Sequence, residues 1–130
     1  MSLRVSPELL HRAEQGPVSS AELADCVRTS LPYAYGLIER LAGRLGEAGA
    51  EFVDNQTPPP DEQARGQLLR AMASDAIRGA LEAHFGVRLA FQNCHRVAVF
   101  RPDRPDDESY HGFVSARAQI LNQQPELVDC

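Results

Sequence analysis

The sequence predicts a mainly α-helical fold: a single domain over residues 1–130, built as a bundle of four or five helices with one short β-hairpin. Three observations carry that reading. Apolar residues recur in adjacent pairs four apart from Tyr33 to Leu45 and again from Leu68 to Phe85, a spacing that makes one broad stripe on a 3.6-residue helix and excludes a strand. Helix-start signals, a serine or an acid beside proline or glutamate, precede the periodic segments. Between Val87 and Val99 the apolar period shortens to two, which is the period of a strand.

Ser6-Pro7-Glu8 opens the first helix, with a serine cap and proline at the first helical position, and Gly16-Pro17 ends it. Leu9, Leu10 and Ala13 give it a narrow apolar face. Ser19-Ser20-Ala21-Glu22 reads as a capping box with Val18 and Leu23 as its hydrophobic staple, so a second helix begins near Ser20. Proline clashes with the preceding turn of a helix interior, so Pro32 breaks this helix and starts a third, capped by Ser30. The third carries Tyr33/Ala34, Leu37/Ile38, Leu41/Ala42 and Leu45, and Gly46 and Gly49 close it.

Residues 50–60, AEFVDNQTPPP, read as a loop. From Pro58 to Phe85 the pattern predicts one continuous helix, opened by the proline run with Asp61 and Glu62 at the positive end of its dipole and stopped at Gly86. A repeat of four overshoots the helical turn, so the stripe drifts by roughly 40° per step and needs partners on more than one side. The matching stripe of the third helix makes antiparallel packing of the two the expected arrangement. Asp75, Arg78 and Glu82 form an ion-pair ladder on the opposite face, and Gly66, Ala73, Ala76, Gly79, Ala80 and Ala83 are small enough for a close helix contact or a dimer seam.

After Gly86, Val87, Leu89 and Phe91 alternate with Arg88 and Ala90, and Val97 and Val99 alternate again, which predicts two strands joined by a turn around Gln92 to His95. A lone hairpin is marginal in water, so it packs on the helices or pairs with a second copy. RPDRPDDE is a polar connector whose acids, Asp103, Asp106, Asp107 and Glu108, suit a helix N-terminus. A last helix runs from about Glu108 to Asn122 and stops at Pro125.

Composition excludes more than any motif includes. All 13 basic residues are arginine, which rules out a P-loop lysine, an internal Schiff base with a pyridoxal cofactor and a kinase-type lysine; the arginine-only complement reflects a GC-rich genome. The net charge of −5 argues against nucleic acid, although residues 62–101 hold six Arg against three acids. No apolar run reaches the length of a membrane span and no hydrophobic block follows basic residues at the N-terminus, so the expected compartment is cytoplasmic. Cys26, Cys94 and Cys130 show no paired spacing and read as reduced thiols.

The densest polar patch is Gln92-Asn93-Cys94-His95-Arg96. A thiol, an imidazole and a guanidinium in one turn are the groups of nucleophilic or acid–base chemistry, so Cys94 and His95 are the candidate catalytic residues; strand alternation sets adjacent residues on opposite faces and works against that pairing. Arg88, Arg96 and Arg101 are the candidate ligand-binding residues, because a hairpin that sets two or three of them on one side offers a planar, bidentate receptor for a carboxylate or phosphate. Arg88 falls on the face opposite Val87, Leu89 and Phe91. Convergence of Cys26, Cys94, His95 and Cys130 on zinc lacks paired ligand spacing, and neither a metal nor a cofactor is expected. His84 sits on the apolar stripe as a hydrogen-bonded, partly buried histidine and His111 is expected at the surface.

At NQTPPPDEQARGQLLRA, at SDAIRGALEAHFGVRLAFQNCHRVAVF and at LNQQPELVDC, the chain resembles a family of small soluble proteins from streptomycetes and related actinobacteria. The resemblance spans about Cys26 to Cys130 and implies an actinobacterial cytoplasmic protein with no assigned activity and no catalytic residues to carry over. With no recognisable catalytic constellation, the expected function is that of a non-catalytic interaction or regulatory protein acting as a helical homodimer, with a protein, peptide or small-molecule partner. The alternative is a small accessory enzyme acting on a peptide or metabolite in an actinobacterial biosynthetic pathway through a groove lined by His95, Arg96, Arg88 and Cys94.

Overall fold

Side-chain caps decide where the helices begin. The computed structural model describes residues 2–104 and 107–123, and within them lie α1 (Pro7–Gln15), α2 (Ser20–Ser30), α3 (Pro32–Ala48), β1 (Phe52–Asp54), α4 (Glu62–Ala73), α5 (Asp75–Phe85), β2 (Arg88–Gln92), β3 (Arg96–Phe100), α6 (Glu108–Phe113) and α7 (Ala116–Leu121). Ser6, Ser19, Asp61, Ser74, Asp107 and Ser115 each accept a hydrogen bond from a backbone N–H of the helix they precede, satisfying a donor that has no partner inside the helix. At the other ends Gly49 and Gly86 take left-handed conformations, φ 62° and φ 64°, where a side chain would be strained. The fold is mainly α with a small antiparallel sheet, as the sequence predicts. The expected helix stop at Pro125 lies outside the described residues, as does Asp106.

Two caps overturn sequence expectations. The continuous helix expected from Pro58 to Phe85 is two helices, broken at Ser74, whose backbone is extended at φ −97° and ψ 118°. Ser74 Oγ accepts from Ile77 N at 3.2 Å, and Arg78 Nη1 donates to the Met72 carbonyl at 2.8 Å, so both broken ends find partners in place of the missing helical bonds. The break divides the work that a winding stripe was expected to do: α4 packs on α3, whereas α5 packs chiefly on α2. The Asp75–Arg78 pair forms at 2.6 Å, but Glu82 leaves the expected ladder and accepts from Leu89 N at 2.9 Å. The last helix is likewise two, because Ser115 accepts from Ala118 N at 3.1 Å and starts α7.

Pro32 does start α3, but Ser30 does not cap it; Ser30 Oγ accepts from Arg4 N at 2.8 Å. The residue before Pro32 is Leu31, which has no side-chain acceptor. The cap comes from 34 residues away, where Gln67 Oε1 in α4 accepts from Tyr33 N at 2.7 Å and from Ala34 N at 3.3 Å. Gln67 is buried, so removing its acceptor leaves two donors unpaired in the interior. Gln67→Ala is expected to lower unfolding free energy by about 2 kcal/mol in urea titrations, with Gln67→Glu, which keeps an acceptor, recovering most of the loss.

Tyr33 at this junction also sets an alkaline limit. Burial pushes its phenol above its ordinary value, with Asp61 acting in the same direction and Arg40 opposing it. The folded state therefore favours the protonated phenol. That contribution is complete below about pH 10, the unfolded value, and is lost as pH rises through the folded one. Stability measured above pH 10 is expected to fall less steeply in Tyr33→Phe than in the parent chain.

The segment 50–60 is not all loop. Phe52–Asp54 forms β1, and the sheet runs in the order β1-β3-β2, antiparallel throughout. Phe52 and Arg88 flank Phe100, Val53 and Leu89 flank Val99, and Asp54 and Ala90 flank Ala98. One face, with Val53, Leu89, Phe91, Val97 and Val99, joins the core of α2, α3, α4 and α5. The other carries Phe52, Ala90, Ala98 and Phe100 and is covered by Phe113 and Tyr110 of α6. The sheet is thus sandwiched between the helical bundle and α6, and the expected hairpin gains both a third strand and cover on two faces.

Candidate functional site

The hairpin turn is tight because its two central residues, Asn93 and Cys94, are both left-handed, φ 51° and φ 59°. This is the backbone of a type I′ turn, whose twist matches the strands it joins, and His95 N closes it on the Gln92 carbonyl at 3.3 Å. Asparagine tolerates that conformation; cysteine adopts it rarely. Cys94 is disulfide-bonded, not the reduced thiol expected, and a disulfide sulfur is not a thiolate nucleophile. Cys26 is a free, buried thiol, with its Sγ 3.4 Å from the Arg4 carbonyl. Cys130 lies outside the described residues.

His95 is buried beside the turn. Its Nδ1 donates to the Asn93 carbonyl at 2.5 Å, since a carbonyl can only accept and Nδ1 must therefore carry a proton. Cys94 and His95 are therefore adjacent in the turn without forming a thiolate–imidazole pair.

Around them the polar side chains bind β1 to the hairpin. Beyond the last residue of β1 the Asn55 side chain takes over the role of a strand. Its Oδ1 accepts from Val97 N at 2.7 Å and its Nδ2 donates to the His95 carbonyl at 2.7 Å. Arg96 Nε donates to Asp54 Oδ2 at 2.8 Å, Arg96 Nη2 reaches the same oxygen, and Gln56 Nε2 donates to Asp54 Oδ1. Gln92, 1% exposed, accepts from Arg96 Nη1 at 3.3 Å and donates to the Phe113 carbonyl at 2.6 Å. The Arg96 guanidinium lies 5.1 Å over the Phe113 ring. A cavity of about 220 Å³ bordered by Asp54, His95 and Arg96 opens at this end of the sheet.

The three arginines do not share a site. Arg88 and Arg96 do lie on one face of the hairpin, but Arg88 pairs with Phe100 and Arg96 with Gln92, four residues along the strand and so about 13 Å apart. Arg88 stacks its guanidinium 3.4 Å from the centroid of Tyr110, covered by α6 and not turned to open solvent. Arg101 leaves the sheet and approaches the Ala50 carbonyl at 3.4 Å. His84 is bonded through Nε2 to the Tyr35 hydroxyl at 3.1 Å, as expected, but is exposed and not partly buried, and His111 is exposed in α6. Among the described residues no group of three or more His, Cys, Asp or Glu side chains is placed to hold a metal ion.

Sequence reasoning missed Asp54, Asn55 and Gln67. The first two sat in a stretch without periodicity, and the third is a polar residue on an otherwise ordinary helical stripe; no local signal marks any of them, because each acts on a residue more than thirty positions away. No helix among the described residues is long and apolar enough to cross a membrane. The family model described as NucS shadow ORF matches residues 1–130, the whole chain. No curated protein and no solved structure matches the chain.

Proposed function

We propose, for a chain that belongs to the NucS shadow ORF family, whose description refers to a reading frame and states no activity, the role of a non-catalytic interaction or regulatory protein that acts as a homodimer in the cytoplasm of an actinobacterium. One observation carries it: the polar side chains gathered round the hairpin bond one another. The Arg96–Asp54 and Val97–Asn55 bonds join the hairpin to β1, and Gln92 braces Arg96; these side chains act as structural bolts. The actinobacterial origin rests on the resemblance of residues 26–130 and on the arginine-only composition.

The dimer seam we favour is α4. Gly66, Leu69 and Ala73 border a shallow groove there, and Leu69 is 40% exposed, so a second copy can approach a backbone closely over small residues. The hairpin edge is a poorer choice, because Glu82 already occupies the outward Leu89 N–H. Sedimentation equilibrium at tens of micromolar tests this. A dimer that Leu69→Arg splits supports the seam, and a monomeric parent chain overturns it.

The alternative, a small accessory enzyme, is favoured by one observation: His95 borders the same cavity as Arg96. Incubation with an actinobacterial metabolite extract, followed by mass spectrometry, separates the two. A mass change that His95→Gln abolishes supports the enzyme, and no His95-dependent change defeats it. Either role requires the reading frame to be translated. Detection in cell extracts of the tryptic peptide from Gly79 to Arg88 establishes translation, and its absence under conditions that reveal neighbouring gene products overturns both readings.

A further inference from the structure

A second concave surface adjoins the site just described, sharing Asn55, Gln56 and Pro58 with the hairpin cavity. It is a cleft of about 540 Å³ between α3 and the segment that follows β1, within the range of small-molecule sites. Leu37 and Leu41, both buried, form its floor, and Pro58 and Pro60 stand across from the helix as a stiff apolar wall. Tyr33 closes one end of the α3 side.

The cleft is also cationic on an acidic chain. Arg40 and Arg44 border it four residues apart on α3, which sets their Cβ atoms about 5–6 Å from each other. Neither guanidinium forms an ion pair or hydrogen bond among the described residues, although Glu39 and Glu47 lie on the same helix. Two unpaired guanidinium groups at one lip of an apolar slot make an amphipathic receptor: planar donors for a carboxylate above, and a dry floor and wall below. Tyr33 adds a phenol to the α3 side of the cleft.

We propose that this cleft binds a small carboxylate with a flat apolar body, its carboxylate held by Arg40 and Arg44 and its body laid between Leu37, Leu41 and Pro58. The proposal is independent of the dimer seam on α4; the cleft shares Pro58 with the hairpin cavity, and Arg40 and Arg44 belong to the cleft and not to that cavity. A compact, strongly hydrated anion fits less well, because it leaves the floor and the proline wall uncovered.

The probe is 1-naphthoate, titrated into the full chain and followed by calorimetry and by ¹⁵N amide shifts, with 1-naphthamide and acetate as controls. Naphthoate is expected to bind saturably and to move the amides of Tyr33, Leu41 and Thr57. Naphthamide, which lacks the charge, and acetate, which lacks the body, are each expected to bind at least about tenfold more weakly, the loss that accompanies about 1.4 kcal/mol. Arg40→Gln/Arg44→Gln is expected to weaken naphthoate by a similar factor while leaving the melting temperature unchanged, since both side chains are exposed and unpaired. Equal affinity for naphthoate and naphthamide, shifts centred on the α4 groove or the hairpin cavity, or no saturation would each overturn it.

Discussion

Arg96→Met is expected to destabilise the protein by about 3 kcal/mol, the cost of leaving a buried carboxylate without its partner. The Asp54 side chain is 4% exposed and that of Arg96 30%, so the acid is the interior member of the pair and depends on the guanidinium for neutralisation. The third hydrogen bond, from Arg96 Nη1 to the Gln92 side chain at 3.3 Å, is lost at the same time. A double variant, Asp54→Leu/Arg96→Met, replaces both charges by apolar groups of comparable size. It is expected to be more stable than Arg96→Met alone, because an apolar pair carries no desolvation penalty. Urea unfolding of the parent, both single variants and the double variant measures the coupling. An Arg96→Met variant within about 0.5 kcal/mol of the parent, the usual range of a surface substitution, would show that the pair does not join β1 to the hairpin.

The same pair shows what a sequence can and cannot disclose. Periodicity reports a buried stripe, and it located α3 and the hairpin, while the capping box at Ser19–Glu22 placed the start of α2. It could not see the break at Ser74, since apolar pairs four apart continue across it and neither glycine nor proline interrupts them. What breaks the helix is a competition between two local bonding schemes, and Ser74 wins it by accepting from Ile77 N while Arg78 takes up the Met72 carbonyl. The dipeptide Ser74-Asp75 was the available signal. Ser115 is the parallel case, where a serine within an apolar pattern restarts a helix.

β1 was hidden for a different reason. Phe52-Val53-Asp54 does not alternate, because the sheet is covered on both faces and consecutive residues are both buried against something. Arg88 was correctly assigned to the face opposite Leu89 and Phe91, but nothing in the sequence showed that α6 lies over that face and that Tyr110 receives the guanidinium. For the candidate site the residue types were legible and their partners were not. Arg96 and His95 stood out as functional groups in a turn, but their bonds run to Asp54 and Asn93, and only the fold decides which of these exists.

The layer that covers Arg88 is also where the largest single loss is expected. Phe100 is fully buried and holds that layer together, stacked on Phe52 at 5.0 Å and meeting Tyr110 and Phe113 edge-on at 5.3 and 5.8 Å. Truncation to alanine removes the ring from all three at once, and the site cannot collapse to fill the space because Phe52 and Ala98 are held by the sheet and Phe113 by α6. Phe100→Ala is expected to cost about 4 kcal/mol, transfer and cavity terms together. Phe100→Leu, which keeps most of the volume, is expected to cost about 1 kcal/mol. The two variants separate the α6 layer from the main core in hydrogen exchange. In Phe100→Leu the amides of α6 are expected to exchange faster while those of α3 and α5 keep their protection, because Val97 and Val99 still face the helical bundle from the other side of the same strand. Equal acceleration in α6 and α3 would mean that the two faces of the sheet unfold as one unit, and that α6 is part of the central core and not a cover upon it.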